Sequence, residues 1–327
     1  MTFLLQKTLV FSIPLLIVAL AGVFAERSGI INIALDGIMI FGSFIGALTV
    51  YIFQENGILT DNRQLMFVIA MLAAAIAGAL FSLLLSFSAI KLKADQTIGG
   101  TALNMLAPAV SLFIIKIFFM QDKLVMPQDI DFVILRGDNA DDGFITKVLF
   151  DKAYISTFIA IALFIILSVI LYKTKFGLHL RACGDHPQAA DSVGINVYRM
   201  RYAGTTISGA LAGMGGYMYI ATTAGGTCEG TVAGMGFLAL AIMIFGNWKP
   251  VGIALGSLMF GFLKCLSVIY SSLDVNGDGV YALAELGLPM YFYNIIPYAT
   301  VLIVLAFSAG KSRAPKAEGI PYDKGQR

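Results

Sequence analysis

Long apolar runs alternate with short polar connectors along nearly the whole chain. A membrane-crossing helix needs roughly 20 apolar residues. Runs near that length occupy residues 8–25, 37–53, 65–90, 101–119, 153–172, 202–221, 251–270 and 290–307. Residues 235–246 form an apolar run too short to cross alone. Two glycine-rich places break the pattern, residues 28–46 and 225–252. Both contain Ile-Met-Ile-Phe-Gly, at Ile38–Gly42 and at Ile242–Gly246. The match is either chance or an internal repeat. In a repeat, interrupted helices at matching positions face each other near the midplane. Irregular backbone at that depth survives only where protein or a water-filled path surrounds it. The pattern therefore predicts an all-α polytopic membrane protein with about nine or ten transmembrane helices, some broken or re-entrant. A single domain spans residues 1–310, and a basic, proline-containing tail over 311–327 reads as loose.

Composition agrees. Of 327 residues, 58% are hydrophobic and 13% charged, against about 45–50% and about 25% in a soluble domain. Mean hydropathy is +0.83. A net charge of +2 gives no reason to expect nucleic acid as a partner; the bilayer is the partner the composition demands. Three scattered cysteines and two histidines supply neither a disulfide framework nor a His-based metal centre. The basic residues follow topology. The connector 173–201 carries Lys173, Lys175, Arg181, Arg199 and Arg201 against Asp185 and Asp191, and basic connectors stay in the cytosol. That choice puts the connector at 91–100 and the tail inside. The acidic loops at 120–152 and 271–289 then fall outside. The side on which residue 1 lies stays open.

Within the basic connector, Asp185 suits a helix cap, Pro187 a first turn and Gly194 a C-terminal stop. The predicted helix runs from about His186 to Val193, with Ala189, Ala190 and Val193 as a small apolar face. It suits docking to another protein; the plainer reading is a solvated connector. Asp36 is the one acidic residue inside an apolar region, which makes it a candidate for the solute path. It can equally cap the helix beginning at Gly37. Asn32 and Asn104 can bond a polar solute, although helix–helix hydrogen bonding is the commoner use of such amides. Glu26–Arg27 reads as a local pair, and Lys116 and Lys264 as side chains able to snorkel. Gly310-Lys311-Ser312 looks like the end of a phosphate loop, but the required earlier glycine is Leu305, so ATP is not hydrolysed here by that route. Asp274, Asn276, Asp278 and Glu285, with Gly279 at the turn, have the spacing of a calcium loop. Membrane spans rather than soluble helices flank it, so Ca²⁺ binding stands beside a plain turn-rich connector.

Several stretches together resemble a known family. Glu26–Gly46, Ala94–Ala107, Arg181–Ala212, Gly234–Phe260 and Gly287–Ala306 are similar to the signatures of permease subunits of bacterial ABC importers for nucleosides, simple sugars and branched-chain amino acids. The subgroup resembles purine-nucleoside permeases that work with a lipoprotein binding component. The resemblance implies a transport subunit of the inner membrane, not an enzyme; the charge pattern puts its C-terminus in the cytosol. It implies no cofactor in this chain: ATP is held by a separate ATP-binding subunit. A second permease subunit, homologous or identical, and an extracytoplasmic solute-binding lipoprotein complete the set. Carried over, Gly184, Asp185, Pro187, Ala189, Ala190 and Gly194 form the coupling helix. The implied solute is a nucleoside, with a ribose-like sugar or branched-chain amino acid as alternatives. An ion-coupled secondary transporter is the alternative of another class; it calls for paired intramembrane carboxylates, and only Asp36 is seen. The chain departs from the family in having Asp36 for Glu, Ala34 for Gly, Met235 for Arg, and the calcium-like insert before Gly287. Met235 therefore joins Asn32, Asp36 and Asn104 as a candidate path residue.

Overall fold

The computed structural model describes residues 2–126, 133–135, 153–270, 288–308 and 314–325. The helices are α1 (Thr2–Glu26), α2 (Leu35–Glu55), α3 (Arg63–Ile90), α4 (Gln96–Phe119), α5 (Ile155–Lys173), α6 (Lys175–Asp185), α7 (Pro187–Ser192), α8 (Val197–Thr222), α9 (Met235–Phe245), α10 (Pro250–Ile269) and α11 (Met290–Ser308). Two small antiparallel ribbons accompany them, β1 (Leu124–Val125) with β4 (Thr227–Cys228), and β2 (Val133–Leu135) with β3 (Ala153–Tyr154). Among the described residues, six helices are long and apolar enough to cross a membrane: α1, α2, α3, α4, α5 and α10. The 26 residues of α8 span about 39 Å at 1.5 Å per residue, ample for a crossing. Its lower hydropathy follows from its position. It packs against α1, α2 and α3 and needs no lipid-facing surface. At 11 residues, α9 cannot cross alone.

Glycine makes α8 the core. A Cβ on Gly213 would strike the Ala74 carbonyl of α3, and one on Gly42 of α2 would strike Gly213 itself. Helices that share lipid as their alternative neighbour associate through such small-residue contacts, since burial of apolar surface gains little between them.

One face of the bundle carries α6 and α7. The Glu26 end of α1 lies there, because Gly184 packs directly on the Arg27 carbonyl. The Thr2 end lies opposite, with the Cys265 thiol 3.9 Å from the Leu4 carbonyl. On the α7 face, α9 turns into α10 through Asn247 and Trp248, both in left-handed backbone conformation (φ +57° and +55°). Such a pair costs on the order of 1–3 kcal/mol per residue. The Trp248 indole N–H offsets part of this by donating to the buried Glu26 carboxyl at 2.5 Å. Glu26 thus turns to Trp248; among the described residues it forms no ion pair with Arg27.

The tail departs from expectation: residues 314–325 are bound to the bundle. Ala317 N–H donates to the Gly184 carbonyl (2.8 Å) and Gly319 N–H to the Gly29 carbonyl (3.2 Å). The Arg201 guanidinium donates to the Ile320 carbonyl (2.9 Å), and Lys93 pairs with Asp323 (2.6 Å). Tyr322 is buried against Tyr198, with ring centroids 5.3 Å apart. Two of these partners on the bundle are backbone carbonyls and three are side chains distant in sequence, which composition does not reveal.

The tail also brings Glu318 to Glu26, and the two carboxyls share a hydrogen bond, which requires a proton. Burial pushes the Glu318 carboxyl up to about 7; the bond from Glu26 and the charge of Arg27 oppose this without cancelling it. A raised carboxyl pKa stabilises the docked form at low pH. That stabilisation is complete below the ordinary value of 4.5 and is lost as pH rises through about 7. Trp248 is the single tryptophan, so its emission reports on the pair. We expect a change in emission between about pH 6 and 8 in the wild type, and a different pH dependence in Glu318→Gln, where Glu26 is the one ionisable carboxyl left of the pair.

Candidate functional site

The two breaks in the apolar pattern meet inside the bundle. Residues 27–34 leave the α7 face without forming a helix and climb to the start of α2. Their backbone needs partners that helix geometry does not supply. The Ile31 N–H donates to Gln96 Oε1 of α4 (2.7 Å). The Asn32 side chain donates to Ser208 Oγ of α8 (2.8 Å). Asn104 of α4 joins the end of the irregular segment to the start of α2: its Nδ2 donates to the Ile33 carbonyl (2.9 Å), and its Oδ1 accepts from Gly37 N–H (2.7 Å). Asn104 lies eight residues into α4, about 12 Å along its axis. The junction is therefore near the middle of a hydrocarbon core about 30 Å thick.

Asp36 does not cap its own helix. It stands in the first turn of α2, and its Oδ1 accepts from Gly236 N–H at 2.9 Å, with a further bond from the Phe237 N–H. Gly236 is in the first turn of α9, whose Gly234 cap has left-handed geometry (φ +69°) and offers no side chain. The carboxylate of one broken helix thus closes the N-terminus of the other. A negative charge suits that position, where unpaired N–H groups concentrate positive charge. The approach requires glycine, because a Cβ at Gly236 would overlap the Asp36 backbone. A Cβ at Gly37 would meet the Asn104 Cα and the Leu103 carbonyl, each at 2.8 Å.

The structure therefore unites Asp36, Asn104 and Met235 at one junction and puts Asn32 beside it, against α8. Met235 and Asn32 are wholly buried, and Asp36 is 8% exposed. Sequence reasoning missed two aromatic neighbours. The Tyr298 hydroxyl of α11 donates to the Ala233 carbonyl (2.8 Å), and the charge of Asp36 reaches both Tyr298 and Tyr219 of α8. Both lie more than 180 residues from Asp36 in sequence, so no spacing signal could have exposed them. Lys264 does not snorkel; it is buried with its ammonium 5.5 Å from the Tyr298 ring. Among the described residues no group of three metal-binding side chains occurs. Asp274, Asn276, Asp278 and Glu285 lie outside the described residues.

On the α7 face, Pro187 opens α7 as expected and Gly194 ends it in left-handed geometry (φ +86°). The cap differs: Asp185 is the last residue of α6, and His186 stands at the N-cap of α7 without a side-chain bond. The small apolar face also divides. Ala190 points inward onto Cys183, Val197 and Tyr322, whereas Ala189 and Val193 point outward, Val193 being 75% exposed. Gly184 is buried, joining α6 to Arg27 on one side and to the tail on the other. The residues expected to form the coupling helix therefore split into an outward surface and a link to the break in residues 27–34.

Residues 4–305 match the family described as "Branched-chain amino acid transport system / permease component". The chain belongs to this permease family. The permease is 41% identical to the guanosine ABC transporter permease protein NupQ of Bacillus subtilis (strain 168), over 100% of this chain and 98% of that one. It is 37% identical to the nucleoside ABC transporter permease protein NupC of Lactococcus lactis subsp. cremoris (strain MG1363), over 98% and 96%. The putative glucose ABC transporter permease protein TsgC13 of Haloferax volcanii is 25% identical over 93% and 91%. No solved structure matches the permease.

Removing either cap should weaken the junction. Asp36→Ala leaves Gly236 N–H without its acceptor and should cost about 1–2 kcal/mol, read as a lower melting temperature in detergent. Asp36→Asn keeps an acceptor and should lose less. Asn104→Leu removes two bonds and should be worse than Asn104→Asp, which retains the acceptor for Gly37.

Proposed function

We propose that the permease is the membrane subunit of an ATP-driven importer carrying nucleosides, guanosine among them, across a bacterial cytoplasmic membrane. The observation that carries this reading is kinship along the whole chain to permeases named for guanosine and for nucleosides. The Asp36–Gly236 junction is the gate in this reading. It is closed in the present conformation, with Met235 and Asn32 buried, and the solute passes when the capped ends of α2 and α9 separate. Tyr219 and Tyr298 stand beside it with aromatic surface suited to a purine ring.

The α7 face is the cytosolic face, and the docked tail lies there too. Energy comes from a separate ATP-binding subunit, since the permease lacks a phosphate-cradling loop. That subunit meets the outward Ala189 and Val193 of α7. Its movement reaches the gate through Gly184, which bears on Arg27 at the foot of the irregular segment. A second permease subunit completes the path, and an extracytoplasmic lipoprotein delivers the solute.

Cells with the complete importer should accumulate labelled guanosine, and deletion of the permease should abolish this while ribose uptake is unaffected. Reversal of the two solutes would reassign the cargo to a sugar. Ala189→Glu and Val193→Asp alter exposed positions, so the chain should insert normally. Each should lower uptake roughly tenfold or more, because an unpaired charge buried at an interface costs several kcal/mol. Uptake equal to wild type in both variants would remove α7 from the coupling role. Ala190→Glu should instead reduce the amount of folded protein, since Ala190 packs inward.

A further inference from the structure

Two cavities adjoin where α5 ends and α10 begins, and they share Tyr172 and Lys249. The first, about 590 Å³, is a cup on the α7 face. Among the described residues Arg27, Lys249 and Lys316 line it, with Asp185 as the one carboxylate and His186 at its rim. Among the described residues none of these three cations is in an ion pair. Arg27 also faces the Glu26–Glu318 pair, and its Nε is buried without a hydrogen-bond partner. The second cavity, about 440 Å³, is an apolar groove between α5 and α10, lined by Phe164, Val169, Pro250 and Val251, with Lys173 at its edge. Val169 and Val251 are exposed along it. The Arg181 guanidinium lies 4.9 Å from the Tyr172 ring that separates cup from groove.

We propose that cup and groove together bind one anionic phospholipid, its phosphate among Arg27, Lys249 and Lys316 and an acyl chain along α5 and α10. The argument is one of complementarity. The groove lies on membrane-spanning helices, where an acidic protein segment docked from the aqueous side would leave apolar surface unfilled. A free phosphate would fill the cup alone. An amphiphile with a negative headgroup satisfies both, and basic pockets at the cytosolic ends of transmembrane helices are suited to such headgroups. Snorkelling cations at the groove edge fit the same depth. Because Lys316 belongs to the docked tail and Arg27 to the foot of the irregular segment, the lipid would join tail, α5 and α10 at one point.

The test is native mass spectrometry of the purified full-length permease after exposure to phosphatidylglycerol or phosphatidylcholine, with glycerol 3-phosphate as a soluble competitor. Lys249 and Lys316 are exposed, so the double variant Lys249→Gln/Lys316→Gln should fold. The wild type should retain phosphatidylglycerol over phosphatidylcholine. The double variant should lose retention roughly 25-fold, from roughly 5-fold per cation near an anionic headgroup. Val251→Trp, which fills the groove and leaves the cup, should also reduce retention. Equal retention of the two lipids, or retention unchanged in the double variant, would overturn the proposal. Displacement by millimolar glycerol 3-phosphate would overturn it in favour of a small-anion site. Burial of Lys249 by the ATP-binding subunit in the complete importer, with no lipid retained, would overturn it in favour of an acidic protein segment.

Discussion

A helix that begins inside a membrane exposes backbone N–H groups where no water can satisfy them. Among the described residues there are two such ends, at α2 and α9, and they are resolved crosswise. Asp36 of α2 accepts from the first turn of α9. Asn104 of α4 accepts from the first turn of α2 and donates to the Ile33 carbonyl in the irregular segment just before α2. Neither helix N-terminus is complete without a side chain from another element. The surrounding glycines follow from this, since the capping atoms reach their targets only where Gly37 and Gly236 leave room.

The same arrangement ties the middle of the membrane to its α7 face. Residues 27–34 run from Arg27, beneath α6, to Asp36 at the junction. Gly184 bears on Arg27, Trp248 holds Glu26, and the docked tail binds both Gly184 and Gly29. A displacement of α6 and α7 therefore acts on an irregular segment held by a few specific hydrogen bonds. Helical backbone would spread the same displacement over many equivalent ones. Where interactions are few and discrete, two alternative arrangements are easier to build than a continuous deformation.

Much of the architecture was legible because lipid imposes simple rules on sequence. Apolar length marked the crossing helices, the basic connector marked one face, and the repeated Ile-Met-Ile-Phe-Gly strings pointed to two breaks whose helix starts do meet. Pro187 and Gly194 placed α7 to within about two residues. What escaped depended on partners distant in sequence. Asp36 looked like a local cap because a carboxylate before Gly37 ordinarily acts locally; its acceptor role is 200 residues away. The tail looked loose because its partners, the carbonyls of Gly184 and Gly29 and the side chains of Lys93, Tyr198 and Arg201, lie more than 100 residues away in sequence. Ala190 and Ala189 are equivalent by composition, and only the packing of Cys183, Val197 and Tyr322 turns one inward.

The crosswise capping is tested most directly by amide hydrogen exchange of the complete importer in lipid, followed at Gly37 and Gly236. The account predicts that both amides are strongly protected at rest and lose protection together when ATP drives turnover. Rapid exchange of either amide at rest, or protection of both that is unchanged during turnover, would contradict it.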